Sequence, residues 1–371
     1  MEFKRSEPLS IGVELELQLL QAETLDLTDG ILPLMELYPD SPYVKPESIQ
    51  NTVEIASKVC TSIAELKVHL TALVADLKAK CQALGMRLCG AGTHPFCQRL
   101  ALITPLPRYL AMEERYGYLA HTQVTFATHV HLGMTTGDEA IALMRGLKPY
   151  LPLLVALSAN SPFWRGYDTG YASYRHRILA ATRSYGVPPS FQTWKEFCHF
   201  FETTHRAGLF QTLSDIHWDL RPRPHLGTLE VRVMDAQPTI AEAMDLTSFV
   251  RVLAAYLLRR ADGMLPDLPW WLEKENHFHA SRLGLEAGYV VDEQGATRPL
   301  AAVWREVLGT LRPLAEELGE GAWLERLHRR VKEGLSYAYQ RQVSEESGSL
   351  RQVMSALIEG LERETARRES E

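Results

Sequence analysis

The sequence predicts an α+β fold built on an antiparallel sheet, and two observations lead there. Stretches that alternate apolar with polar residues read as strands near residues 12–17, 123–133 and 227–235. Longer segments carry helical signals, and the two kinds are interleaved without the regular strand-helix-strand rhythm of a parallel sheet.

The first strand is Gly12-Val13-Glu14-Leu15-Glu16-Leu17. Side chains alternate across a strand, so Glu14 and Glu16 share one face while Val13, Leu15 and Leu17 line the other. Asn51-Thr52-Val53-Glu54-Ile55 again sets one acid, Glu54, in an apolar run. Ser62-x-x-Glu65 reads as a capping box that opens a helix through Lys80, with an apolar stripe at Leu66, Leu70, Leu73 and Leu77 and an end near Gly85. A strand at Arg87-Leu88-Cys89 leads into Gly90-Ala91-Gly92-Thr93-His94-Pro95-Phe96. Pro95 stands where a dinucleotide fingerprint needs its third glycine, so no phosphate-loop role is assigned. Further helices are expected over residues 138–157, 241–260, 301–317 and 349–368.

Composition bounds the function. With 371 residues, 46% hydrophobic and 23% charged, the chain can bury a substantial core, and no low-complexity linker or internal repeat divides it. A formal charge of −7 argues against a nucleic-acid partner bound by phosphate neutralisation, which leaves small molecules as the expected partners. The five cysteines, Cys60, Cys81, Cys89, Cys97 and Cys198, form no C-x-x-C pair and fit reduced, buried thiols. Residues 1–10 are polar, unlike a secretory signal. The longest apolar stretches, near 150–159 and 250–258, are short for a membrane span and are interrupted by Pro152 and Arg251. A cytoplasmic protein without a membrane partner is expected. The apolar positions of 138–157 would suit either a core or a second copy, so a homo-oligomer stays open.

Glu14 and Glu16 carry the chemistry. Two carboxylates about 7 Å apart on one strand face repel by roughly 2 kcal/mol at an effective dielectric of ~20. A divalent cation between them would relieve the repulsion; a wet sheet edge is the other reading. In Thr128-His129-Val130-His131 the histidines also lie at i and i+2, and neutral imidazole is a competent metal ligand or phosphate donor. Leu229-Glu230-Val231-Arg232-Val233 puts Glu230 and Arg232 on a common face, as a site pair or as a cross-strand ion-pair element. Together these strands suggest a sheet whose concave face binds metals and a polyphosphate.

Six motifs occur in order: Gly12-Val13-Glu14-Leu15-Glu16, Gly92-Thr93-His94-Pro95-Phe96, His129-Val130-His131, Leu157-Ser158-Ala159-Asn160-Ser161-Pro162-Phe163-Trp164, Asp168-Thr169-Gly170-Tyr171-Ala172-Ser173-Tyr174-Arg175 and Glu230-Val231-Arg232-Val233-Met234-Asp235. This series resembles the type 2 glutamate-cysteine ligase family, the YbdK-like carboxylate-amine ligases, from about Ser10 to Leu350.

The resemblance implies a glutamine-synthetase-like catalytic domain, a curved antiparallel sheet backed by helices. It spans 1–371, with a ligase core at about 10–350 and a C-terminal helical segment at 349–371. It implies ATP and Mg²⁺, phosphorylation of a carboxylate to an acyl phosphate, and displacement of phosphate by an amine. L-glutamate is the implied acid, with L-cysteine or another small amine as acceptor. By the same resemblance Glu14, Glu16, Glu54 and Glu230 are metal ligands, joined by one of His129 and His131 while the other touches ATP. Arg232, on the face of Glu230, is the first candidate to stabilise the transferring phosphoryl group, followed by Arg175. Arg183, Arg221, Asn276 and Arg282 are carried over as nucleotide or substrate contacts. An acid-to-amide change at Glu14 or Glu230 is expected to remove metal binding and spare the fold.

The chain departs from the family pattern at Asn276-His277-Phe278-His279, where many relatives have Asn-Arg followed by an aromatic residue. An always-charged guanidinium is thereby replaced by an imidazole, which bears on acceptor choice. Two other classes stay open: a metal-dependent hydrolase using the same acids and histidines, although no His-Glu-x-x-His helix is present, and a metabolite-binding scaffold without turnover.

Overall fold

The computed structural model describes residues 1–260 and 263–366. Its centre is a seven-stranded antiparallel sheet of β1 (Ile11–Gln21), β2 (Val44–Pro46), β3 (Thr52–Ala56), β4 (Met86–Cys89), β5 (Ala127–Gly133), β6 (Leu220–Arg223) and β7 (Thr228–Asp235). The order is β6-β7-β5-β1-β3-β2. Strand β1 is long enough to pair β5 over its first half and β4 over its second, along the same edge, while β3 holds the other edge.

The alternation of β1 explains its central place. Val13, Leu15, Leu17 and Leu19 are all buried and join Val53 and Ile55 of β3, Val130 and Leu132 of β5, and Leu229 and Val231 of β7 in one core. Each fully buried side chain of this size contributes about 1.5–3 kcal/mol, so this face drives the sheet onto its helices. Helix α1 (Ile63–Ala83) supplies Leu66, Leu70, Val74 and Leu77, and α2 (Ile240–Arg259) supplies Leu246, Val250 and Leu253 to the same core. The opposite, polar face is left for chemistry.

Helix starts repeat one device. Ser62, Thr136, Thr193 and Thr239 each accept a hydrogen bond from the backbone N–H of the glutamate three residues on, at 3.1–3.2 Å, which satisfies an otherwise orphaned donor. The helices expected over 241–260 and 301–317 are Ile240–Arg259 and Leu300–Glu317. The C-terminal segment is helical as α4 (Leu350–Ala366); residues 367–371, including Arg368, lie outside the described residues.

Two expectations are corrected. Residues 138–157 form Gly137–Leu147, a 3-10 turn at Lys148–Tyr150 and Leu151–Ser158, because Pro149 and Pro152 lack the N–H that a continuous helix requires. This stretch has the length and hydropathy of a membrane span, yet 83% of its most apolar window is buried inside the protein. The strand expected from residue 123 begins only at Ala127. The Phe126 N–H goes to the Gly92 carbonyl and that of Thr125 to Gln123, so the chain enters the ladder late. All five cysteines are buried and free.

Candidate active site

The polar face of the sheet gathers the acids and imidazoles. Register places Glu14 opposite His129, Gly12 opposite His131, Glu16 opposite Glu54 and His131 opposite Glu230, and directly paired residues point to one side. The His129 Nδ1 lies 3.3 Å from Glu14 Oε2, and His131 Nε2 lies 3.4 Å from Glu14 Oε1 and 3.8 Å from Glu230 Oε1. Glu14, His131 and Glu230 offer ligand atoms within 4.8 Å of one another.

Tautomers sharpen this geometry. If His129 Nδ1–H donates to Glu14, its Nε2 presents a lone pair 3.7 Å from Glu16 Oε1. If His131 Nδ1–H donates to the Thr228 hydroxyl at 3.0 Å, its Nε2 faces Glu14 and Glu230. Both Nε2 atoms are buried without a hydrogen-bond partner. Acceptors facing acceptors at these separations fit a hard divalent cation held by carboxylate oxygens and one imidazole.

Charge supports the same fit. Burial, with Glu47 nearby, pushes Glu16 up to about 8. Burial followed by the repulsion of Glu14 and Glu47 pushes Glu54 well above the carboxylate range, and Lys45, 4.0 Å away, offsets it only in part. Burial alone would raise Glu14, but the imidazoles of His129 and His131 beside it hold it well below. Burial and Arg232 bring His129 down to about 4, so its ring is neutral near pH 7.

Glu230 is held differently from the other acids. It is fully buried and meets Arg221 through paired bonds of 2.8 and 3.1 Å, Arg232 through its Nη1, and Arg223 at 3.7 Å. Removing its charge would strand three guanidinium groups, which argues against the expectation that an amide at 230 spares the fold. Burial, with Arg232 alongside, lowers Arg221 to about 10.

A β-bulge sets the rest. The register slips between Val231 and Met234, so that Val231 faces Val130 but Met234 faces Thr128 and Asp235 faces Ala127. The extra residue switches the alternation, which puts Asp235 on the same face as Glu230 and Arg232. Asp235 is held by Asn160 N–H at 2.9 Å and by the Ser161 and Ser173 hydroxyls at 2.7 and 2.8 Å. Gly92 lies against it so closely that a Cβ there would sit 2.6 Å from the Asp235 carboxyl carbon. Several of the ordered motifs are thus the cradle of one buried aspartate.

The remaining expected contacts divide. Arg221 and Arg232 stand in the site. Arg175 is buried and donates at 3.3 Å to the carbonyls of Arg232 and Val233 in the bulge, so it holds the strand that carries Arg232. Asn276 is buried, with its carboxamide committed to the backbone N–H and C=O of Val290 at 2.7 and 2.9 Å. Arg183 is exposed, donates to the Leu209 carbonyl and lies over Phe210. Arg282 is exposed and lies 4.9 Å from the Tyr171 ring centre. Neither is in hydrogen-bond or ion-pair contact with the acidic cluster among the described residues. Three participants escaped sequence reading: Arg223, whose i, i+2 spacing from Arg221 was a usable signal; Glu47, which follows a three-residue strand with no pattern; and Asp235, hidden by the bulge.

The family model for glutamate-cysteine ligase family 2 (GCS2) matches residues 10–356. The chain belongs to this family. A protein of Trichormus variabilis provisionally named glutamate-cysteine ligase 2 is 49% identical over 371 residues, 99% of this chain and 96% of its own. A counterpart from Thermobifida fusca, named in the same provisional way, is 35% identical over 96% of this chain and 92% of its own. Among solved structures, a Francisella tularensis glutamate-cysteine ligase in complex with AMP superposes with a TM-score of 0.70 at 13% identity, covering 100% of this chain and 91% of that one. A bifunctional glutathione synthetase from Pasteurella multocida gives 0.72 at 14% identity, covering 97% of this chain and 52% of that one. Membership makes this chain a ligase of the carboxylate-amine type, and the expected glutamine-synthetase-like α+β class is borne out.

Proposed function

We propose that this family member catalyses ATP- and Mg²⁺-dependent amide formation through an acyl phosphate, with L-glutamate as the activated acid and L-cysteine or another small amine as acceptor. The observation that carries the reading is the pairing of the two unpartnered imidazole Nε2 atoms with Glu14, Glu16 and Glu230, beside the guanidinium groups of Arg221, Arg223 and Arg232. A relative of the same fold holds AMP.

Glu14, Glu16, Glu54, Glu230 and one histidine would hold Mg²⁺, which when bound neutralises the triphosphate and aligns its γ-phosphoryl group. The protein's own part is positioning. Arg232 stays charged because, against its burial, Glu230, Glu16 and Glu14 favour the guanidinium, which suits it to stabilise the oxygens on which charge would collect during transfer. The carboxylate oxygen of the substrate attacks the γ-phosphorus of ATP, whose bond to the β–γ bridging oxygen breaks to release ADP. The amine nitrogen then attacks the acyl carbon, the bond from that carbon to the phosphate oxygen breaks, and the proton lost by the amine passes to the released phosphate as the amide forms.

ADP release with Mg²⁺, a set of amino-acid carboxylates and a panel of amines tests this, with product mass as the second readout. ADP should form only when acid and amine are both present. Ligand binding without ADP would favour a scaffold, and hydrolysis without ATP a metal-dependent hydrolase.

A further inference from the structure

At the ends of the strands that carry Arg221 and Arg232, with Asp219 on their face of the sheet, lies a second cluster of ligand-type side chains to which the proposed ligase chemistry assigns no role. His176 comes from the short helix Arg175–Leu179, Asp219 from the residue before β6, and His277 from α3 (Trp270–Leu283). All three are buried, at 0%, 1% and 4% exposure. Ligand atoms of the three lie within 4.8 Å of one another.

The cluster is polar but unsatisfied. His277 Nε2 and Asp219 Oδ2 approach to 3.1 Å, yet His277 Nε2, His176 Nε2 and both Asp219 carboxylate oxygens have no hydrogen-bond partner. Orphaned buried polar atoms cost about 1–3 kcal/mol each, and the three residues that carry these four bring one ligand atom each within 4.8 Å of one another. The imidazoles meet edge to face with centroids 4.7 Å apart. The Tyr185 hydroxyl sits on His176 Nδ1, where it can accept the Nδ1–H and leave Nε2 as a lone pair, the second-sphere arrangement of metal-binding histidines. Two guanidinium groups are neighbours and both are engaged elsewhere, Arg175 with the bulge carbonyls and Arg177 over the Phe278 ring.

We propose that His176, Asp219 and His277 form a structural site for a transition-metal dication of the Zn²⁺ or Co²⁺ class, separate from the Glu14–His131–Glu230 cluster. Two imidazole nitrogens and one carboxylate oxygen with a fourth position for water suit these ions and not Mg²⁺, which prefers an all-oxygen octahedron. The ion would tie three chain segments together beside the bulge. The Asp219 carbonyl accepts the Arg232 N–H at 2.7 Å, so a fixed Asp219 also fixes the backbone from which Arg232 projects.

Because the ligands are buried, the whole chain should be produced in Zn²⁺- or Co²⁺-supplemented medium, dialysed, and assayed for metal by mass spectrometry and for visible d–d absorption. Wild type should retain a stoichiometric ion, show tetrahedral Co²⁺ bands, and melt higher than protein stripped with a chelator. His277→Ala and Asp219→Asn should lose the ion, and Tyr185→Phe should bind it roughly 10–100-fold more weakly. Glu14→Gln should keep it. If the histidine-to-alanine variant does not fold, Asp219→Asn and Tyr185→Phe carry the comparison. Wild type without retained ion or bands, retention unchanged in the folded variants, or loss in Glu14→Gln would each overturn the site and leave an imidazole-carboxylate contact alone. No arm uses turnover, so the outcome is independent of the ligase reading.

Discussion

Arg175 grips the main chain of Arg232: its Nη2 donates to the Arg232 carbonyl at 3.3 Å while its Nη1 reaches Val233 at the same distance. A bulge leaves backbone carbonyls outside the ladder, and the forked guanidinium satisfies two of them at once. A single ammonium cannot span both in the same way.

Arg175→Lys should therefore lower kcat by misdirecting Arg232 and cost about 1.5–3 kcal/mol of stability, the range for hydrogen bonds to a charged group. Urea midpoints and ADP-release kinetics together check this. A change confined to KM, with an unshifted midpoint, would instead make Arg175 a substrate contact.

Glu14→Gln and Glu230→Gln should part company. Both are expected to abolish ADP formation. Glu230 is fully buried among three arginines, so its amide should cost about 3–5 kcal/mol. Glu14, with 19% of its side chain exposed, should cost at most about 2 kcal/mol. Equal urea midpoints would refute the arginine-held role of Glu230.

Glu16→Gln should stabilise the metal-free protein at alkaline pH. Burial raises the folded pKa of Glu16 from 4.5 to about 8, so its contribution is complete below the unfolded value and is lost as pH rises through the folded one. In chelator, wild type should lose stability between those limits relative to the amide variant, and added Mg²⁺ should restore it only in wild type. Parallel pH profiles for the two proteins would contradict this assignment.

His94 predicts the opposite slope in acid. Its Nδ1 accepts from the Cys97 N–H at 2.9 Å and its Nε2 lies 2.9 Å from the Leu25 carbonyl, a pattern that only the neutral ring satisfies. Burial lowers it from 6.5 to about 4. The contribution is present above the unfolded value and disappears as pH falls through the folded one, about 3 kcal/mol in all at 1.36 kcal/mol per unit. Denaturant titrations of wild type and His94→Gln across that window should converge at the acid end.

Local patterns revealed much of this. The faces of Glu14 and Glu16, the His129 and His131 pair, and the Ser62 helix start all depend on neighbours two to four residues apart, and all appear in the structure where the spacing puts them. The Thr136, Thr193 and Thr239 caps carry the same signal as Ser62 and were equally readable. Helix α3 was not: with Glu273, Asn276 and His277 all buried, its apolar stripe is broken, and its partners lie far away in sequence, Lys148 for Glu273, Val290 for Asn276 and Asp219 for His277.

The alternation of β1 and the two faces it creates follow from the order of neighbouring residues, because side-chain direction along a strand is set by backbone geometry alone, and the family is carried by the ordered motifs themselves. Which charges meet depends on contacts between distant segments. Only the folded chain brings three arginines onto Glu230, sends Arg175 to a bulge, turns Asp235 to the site face and closes His176, Asp219 and His277 together. Each of these depends on register slips or contacts between distant segments, and the energy of a buried charge depends on everything packed around it.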